Sequence, residues 1–274
     1  MPADFRFTAV VLAAQRAGKL DPLAERAGVT HKCLVPIVGR PMIDYVLDVL
    51  ETVPGLERIR ICVEAEVTDE VRAVLGTRRL PVDYVPAQET ITESVYVSAQ
   101  GIEGPFLVTT ADNVNMTRVA VEQVMAPLAN GYDGSLGLAT RAAVLAARSD
   151  AALGYTNVDR VGPYKFRDDR YSNCNLYAIS GPKVLGMAEA FREGGQFSKN
   201  RKKLVRFVGW FNIALVALKL VTLEQAIARL SKRFGVRVKA VVLADGAQAV
   251  DVDNERTYRL AEVILRERGR GVPA

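Results

Sequence analysis

One histidine, one tryptophan and three cysteines in 274 residues close off several kinds of chemistry. Cys33, Cys62 and Cys174 are far apart and odd in number, so they form neither a disulfide framework nor zinc-ligand spacing, and the single His31 cannot complete a zinc site. They read as reduced thiols of a cytoplasmic protein. Met1–Arg6 is short and polar, and no secretory leader is expected. Long apolar runs are missing too. In the most apolar stretch, KNRKKLVRFVGWFNIALVALKLVTL, only twelve residues, Phe207 to Leu218, separate Arg206 from Lys219, against the about 20 that a bilayer span needs. No internal repeat, low-complexity tract or obvious linker breaks the chain.

What is present is ordinary for a globular protein: 49% apolar and 24% charged residues, enough chain for one large domain or two small ones. The net charge of +5 suits a phosphate-bearing substrate or an anionic surface. Nucleic acid is not expected as a partner, because Lys and Arg are spread out with no aromatic stripe between them.

Phe7–Ala14 is a continuous apolar run, the mark of a strand covered on both faces. Pro41 starts a helix with Ile43, Val46, Leu47 and Leu50 at helical spacing. Strands are expected at Arg58–Val63, Val82–Val85 and Pro105–Thr110, alternating with helices at Glu66–Leu75, Thr92–Gln100 and Met116–Leu128. Such βαβ alternation predicts an α/β fold, a Rossmann-like, mostly parallel sheet with helices on both faces. The second half is less regular. Strands are expected at Ser135–Thr140, Tyr164–Arg167, Asn175–Ile179, Val236–Val242 and Ala249–Val252, and helices at Pro182–Phe191, Glu224–Phe234 and Glu255–Arg268. The whole, 1–274, reads as one domain with a basic and apolar helical insertion at about 195–235.

Ligands of an open α/β sheet bind outside the carboxyl ends of its strands. The loop Gln15–Lys32, after the first strand, offers backbone amides and the cations Arg16, Lys19 and Lys32 to a polyphosphate. Asp112, just after Pro105–Thr110, is a hard oxygen donor suited to Mg²⁺ beside phosphates, and Asp251 and Asp253 lie at the end of the last expected strand, on one face if it is extended. Each has a plainer alternative: Asp112 or Asp253 as a helix cap, Lys32 as a solvated loop lysine, His31 as a loop or capping residue.

Taken together, LAAQRAGKL followed by HKCLVPIVGRPMIDYVL resembles the opening signature of nucleotidyltransferases of the NTP-transferase (MobA-like) superfamily, in which Leu-Ala-Ala-Gly-x-Gly-x-Arg-Met precedes a lysine and a Gly-Arg-Pro helix start. Lys32 matches that lysine and Gly39-Arg40-Pro41 the helix entry. Ser94-Val95 in ETITESVYVSAQ resembles cytidylyltransferases such as those acting on methylerythritol phosphate, VTTADN the metal-aspartate strand end, and VDVDNERTY the late aspartate motif. These segments cover the first 115 residues or so and the last 30. Gln15 and Ala17 replace the two glycines, leaving Gly18, and Lys19 takes the arginine's place; a left-handed turn at either replaced glycine would cost about 1 kcal/mol or more.

The resemblance implies Mg²⁺-dependent transfer of a nucleoside monophosphate, CMP first, from an NTP to a phosphorylated sugar, polyol or lipid head-group precursor, with release of pyrophosphate. It implies Lys32 at the α-phosphate, Lys19 and Arg16 at the β/γ end, and Asp112 and Asp253 as the metal ligands. Leu12, Ala13, Ala14, Gln15, Gly18, Gln88, Ser94 and Ala111 would line the nucleotide, and Lys165, Arg170 and Asn173 the acceptor. A non-catalytic nucleotide or sugar-phosphate binding protein on the same fold is the competing reading, and has no need of the paired aspartates. A metal-dependent glycosyltransferase would want a close acidic pair; Asp168-Asp169 is one, but in a charged, turn-like run (FRDDR). Basic residues followed by Phe207, Trp210 and Phe211 suit a helix lying on a membrane surface at 199–223 on the cytoplasmic face, with packing on the sheet or at a homodimer interface as the alternative.

Overall fold

The computed structural model describes residues 2, 4–15, 20–148, 161–181, 184 and 209–270. Its centre is an eight-stranded sheet in the order β5-β4-β1-β6-β9-β7-β10, with β8 hydrogen-bonded to β9. The strands are β1 (Phe7–Leu12), β4 (Leu56–Val63), β5 (Val82–Pro86), β6 (Phe106–Thr110), β7 (Gly134–Thr140), β8 (Tyr164–Lys165), β9 (Arg170–Ile179) and β10 (Val238–Leu243). A separate two-stranded ribbon joins β2 (Pro36–Ile37) to β3 (Arg40–Pro41). β1 pairs in parallel with β4 and β6, β4 with β5, and β10 with β7; β9 runs antiparallel between β6 and β7. The mostly parallel sheet expected from the alternation is what forms, and its last strand comes from the far end of the sequence.

β1 shows why. Ala9, Val10 and Val11 are fully buried, as a strand covered on both faces requires. On one face lies the helix Met42–Thr52, whose Ile43, Val46, Leu47 and Leu50 are wholly buried at about 1.5–3 kcal/mol each. On the other, Val10, Phe106 and Val108 meet Ala99 of the helix Ile91–Ala99. The chain proceeds from β1 to β4 and β5 on one side and resumes at β6 on the other. The strand order therefore reverses beside β1, and the crevice outside the carboxyl ends of β1 and β6 is the place such a sheet offers a ligand.

Several boundaries differ from those the sequence suggested. The opening loop contains a short helix, Pro22–Ala27, capped by Asp21, which accepts from the Leu23 amide, and closed by Gly28 at φ 67°. β9 starts at Arg170 rather than Asn175, because its first half, polar in sequence, pairs with β8 at Arg170 and Tyr171 and with β7 from Tyr171 to Asn173. No strand forms at Ala249–Val252; Asp245 accepts from the Ala247 amide and winds Gly246–Ala249 into a 3₁₀ turn. FRDDR is the turn of the β8–β9 hairpin: Phe166 donates to the Asp169 carbonyl, and Asp168 accepts from Tyr171 and from the Leu223 amide. Within the apolar stretch, a helix Trp210–Ala217 is followed by a turn at Lys219 (φ 55°) and a second helix, Leu223–Phe234, with a Thr222/Gln225 capping box. Among the described residues no helix is long and apolar enough to cross a membrane. Residues 199–208, which carry most of the expected membrane-facing basic cluster, and nearly all of the expected helix Pro182–Phe191 lie outside the described residues.

Candidate active site

The site is assembled from three strand ends and two loops. Leu12, the last residue of β1, pairs with Cys62 on one side and Thr110 on the other. The next residue, Ala13, donates its amide to the Cys62 carbonyl (2.8 Å), and the Leu12 carbonyl accepts from Ala111 (2.9 Å). Leu12, Ala13 and Ala111 thus form the floor of the crevice at the switch point. Asp112 follows. Thr110 Oγ1 donates to its Oδ1 (2.5 Å), and its carbonyl accepts from the Val252 amide (3.2 Å), which stitches the late aspartate loop to the end of β6.

Lys32 enters from the opening loop. It begins the 3₁₀ turn Lys32–Leu34, whose Cys33 and Leu34 are buried and fix the backbone. Its ammonium lies 2.5 Å from Asp112 Oδ2 and 3.0 Å from Asp253 Oδ1. Residues 32, 112 and 253 therefore meet at one point, across 221 positions of sequence. Burial on its own would lower the lysine's pKa; the two carboxylates outweigh it and hold the ammonium above the ordinary lysine value. Neither aspartate is a helix cap. Thr117 caps Arg118–Ala129, and Asn254 with Thr257 forms a capping box on the closing helix, Glu255–Glu267. Asp253 donates only its backbone amide to Thr257, so its side chain reaches the crevice.

Asp251 and Asp253 do not share a face, because the segment is not a strand. Asp253 stays exposed, whereas Asp251 turns inward and accepts from Asn175 Nδ2 (2.8 Å), its Oδ1 buried without a hydrogen-bond partner. Burial, reinforced by Asp112 and Asp253, pushes its carboxyl well above the ordinary value, against the opposing pull of Lys32 and Asn175. Asn175 sits at φ 48° where β9 places Cys174, Asn175 and Leu176 between its paired residues Asn173 and Tyr177, against Gly137 alone on β7. The bulge re-aims its amide at Asp251. Neither Asn175 nor Asp251's inward turn was legible in the sequence; a β-bulge leaves no periodic signature.

The other expected residues are distributed around this point. Gln15 follows β1, but its amide donates to Glu64 Oε1 (2.9 Å) and its side-chain Nε2 to the Thr30 carbonyl (3.1 Å). Ser94 Oγ accepts from the Gln88 amide (2.9 Å), tying the turn after β5 to the helix Ile91–Ala99. Ala14 is exposed at the mouth. Asn173 donates to Asn175 Oδ1 (2.8 Å) and to the Tyr177 hydroxyl. Lys165 and Arg170 face each other across the β8–β9 hairpin, with Arg170 Nε donating to the Gly162 carbonyl (3.0 Å). Arg16, Gly18 and Lys19 lie outside the described residues.

The model of the MobA-like NTP transferase domain family matches residues 9–154, more than half of the chain, from within β1 to beyond β7. The chain belongs to this family. Solved structures are similar to it as well. A hypothetical transferase from Thermus thermophilus matches at TM-score 0.72 and 26% identity, over 93% of this chain and 100% of that one. A CMP:2-keto-3-deoxy-manno-octonic acid synthetase complexed with CTP matches at TM-score 0.58 and 14% identity, over 96% and 99%. The inositol-1-phosphate CTP transferase from T. maritima matches at TM-score 0.54 and 16% identity, over 96% and 97%. At such identities the last two speak for the fold, that of nucleotide-diphospho-sugar transferases. No curated protein matches the chain significantly.

The residues of this site suit a divalent cation. Asp112 and Asp253 converge on a single positive charge, the Lys32 ammonium. Among the described residues no three His, Cys, Asp or Glu side chains cluster as a closed metal site. Two carboxylates completed by phosphate oxygens and water are what Mg²⁺ prefers.

Proposed function

We propose that this chain transfers a nucleoside monophosphate, CMP first, from an NTP to a phosphate-bearing sugar, polyol or lipid head-group precursor, with release of pyrophosphate. The observation that carries the reading is the convergence of Lys32, Asp112 and Asp253 at the switch-point crevice. The choice of CTP rests on the Ser94-Val95 resemblance and on the cytidylyl-transferring enzymes among its structural relatives.

In this reading an acceptor phosphate oxygen forms a bond to the α-phosphorus as the bond to the α–β bridging oxygen breaks, and pyrophosphate leaves with the bonding pair. The protein's work is positioning and charge neutralisation. Lys32 moves its ammonium from the carboxylates to the α-phosphate, where negative charge develops. Asp112 and Asp253 hold Mg²⁺, which when bound neutralises phosphate charge. Thr110, by donating to Asp112 Oδ1, keeps the other oxygen turned to the crevice. Ser94 fixes the turn at Gln88 against which the base rests. Asn173, Lys165 and Arg170 bind the acceptor on the β9 side.

The test is ³¹P NMR of the protein with CTP, UTP, GTP or ATP, Mg²⁺ and a panel of phosphorylated sugars, polyols and inositols. The expected spectrum gains pyrophosphate together with a mixed diphosphate ester, for CTP first. NTP hydrolysis to free phosphate without a diphosphate ester, or no reaction with any pair, goes against transfer.

A further inference from the structure

Glu64 is the first residue beyond β4, between the phosphate loop after β1 and the turn after β5. A carboxylate there repels a polyanion, so charge alone gives no reason for it. Its contacts do. Oε1 accepts from the Gln15 amide (2.9 Å), where the loop departs from β1, and Oε2 lies 3.3 Å from Nε2 of buried His31, where the loop returns. The Gln15 side chain closes the same ring by donating to the Thr30 carbonyl (3.1 Å), and Thr30 Oγ1 donates to Glu70 (2.7 Å). Lys32 is the next residue after His31. Two atoms of the cluster, Gln15 Oε1 and His31 Nδ1, are buried without a hydrogen-bond partner, and Glu64 Oε2 has no hydrogen bond besides its ion-pair contact with His31. Such unmet capacity in one place is costly, and it collects where geometry is held for function rather than for stability.

We propose that Glu64, acting through Gln15 and His31, is a positioning residue that clamps both ends of the phosphate loop and thereby aims Lys32 at the NTP phosphates. This rests on the nucleotidyl-transfer reading above. It also gives glutamine a reason to stand at position 15: a glycine could not bridge to Thr30.

The test is a double-mutant cycle on Mg·CTP affinity, measured by calorimetry for the wild type, Glu64→Gln, Lys32→Met and the double variant. Glu64→Gln keeps the side chain's shape and removes a negative charge. If the carboxylate mattered only as a charge, CTP would bind tighter. The clamp predicts the opposite sign: about tenfold weaker binding in the wild-type background, and no further loss once Lys32 is gone, a coupling of the size expected for residues in one network. His31→Gln, expected to behave alike, serves as the second variant should Glu64→Gln unfold. Wild-type-like or tighter binding by the Glu64 variant, or an unchanged loss in the Lys32→Met background, overturns the clamp alone. A wild type that binds none of the four NTPs overturns the transferase reading, and the clamp falls with it.

Discussion

Lys32→Met removes the charge that holds two carboxylates together, and its cost can be worked out from the site. Removing one partner of a buried ion pair typically costs about 3–5 kcal/mol, because the other charge is left uncompensated. The Lys32 and Asp112 side chains are 18% and 17% exposed, close to that case, whereas Asp253 at 66% is nearer to a surface pair worth under about 1 kcal/mol. Since these side chains still touch water, a loss of about 2–3 kcal/mol is expected in metal-free buffer. For a chain of this size that lowers Tm by about 3–5 °C. Mg²⁺ should reverse most of it, since a site at 100 times its Kd contributes about 2.7 kcal/mol. The wild type should gain less, because its ammonium competes for the same carboxylates. Raising the pH should close the gap as well. The lysine's folded-state pKa lies above its unfolded value near 10.5, so its stabilisation is complete below that value and is lost as pH climbs through the raised one. The assay is thermal unfolding by circular dichroism of both proteins, with EDTA or Mg²⁺. Equal metal-free stability, or equal stabilisation of both proteins by Mg²⁺, would refute the reasoning.

Two further outcomes follow from packing. Gly246→Ala would place a Cβ 2.1 Å from the backbone of Ala143, so the 3₁₀ turn before the aspartate loop must shift; a loss above about 3 kcal/mol in urea unfolding is expected, and wild-type stability would contradict the packing. Cys33, Cys62 and Cys174 are all buried, and burial pushes all three thiols up, Cys33 to about 12, so Ellman's reagent should label none in the native protein and all three in guanidinium. Rapid native labelling of any one would show that its surroundings open.

The parts of the structure that were legible in the sequence have short-range causes. Val10 and Val11 announce a doubly covered strand, and Ile43, Val46, Leu47 and Leu50 a helix face, because period and burial are local. Lys32 and Asp112 were candidates by their place after parallel strands, and the ordered motifs around them, taken together, singled them out. What escaped depends on distant partners. The start of β9 is polar and gains strand structure through β7 and β8, and Asp245 turns an apparent strand at 249–252 into a 3₁₀ turn. Asn175 meets Asp251 across 76 positions and Glu64 meets Gln15 across 49, and no spacing rule connects either pair. The difference between Asp251 and Asp253 was hidden for the same reason: alternation assumes a strand, and the segment is not one.

The most direct test of the central claim is the steady-state rate of pyrophosphate release, with the productive NTP and acceptor, for the wild type, Lys32→Met and Asp112→Asn. The account predicts that both variants remain folded in Mg²⁺ and lose about 10²–10³-fold in kcat, the usual loss when one preorganised charge-stabilising group is removed. Folded variants that release pyrophosphate at the wild-type rate would contradict it and move the chemistry away from this cluster.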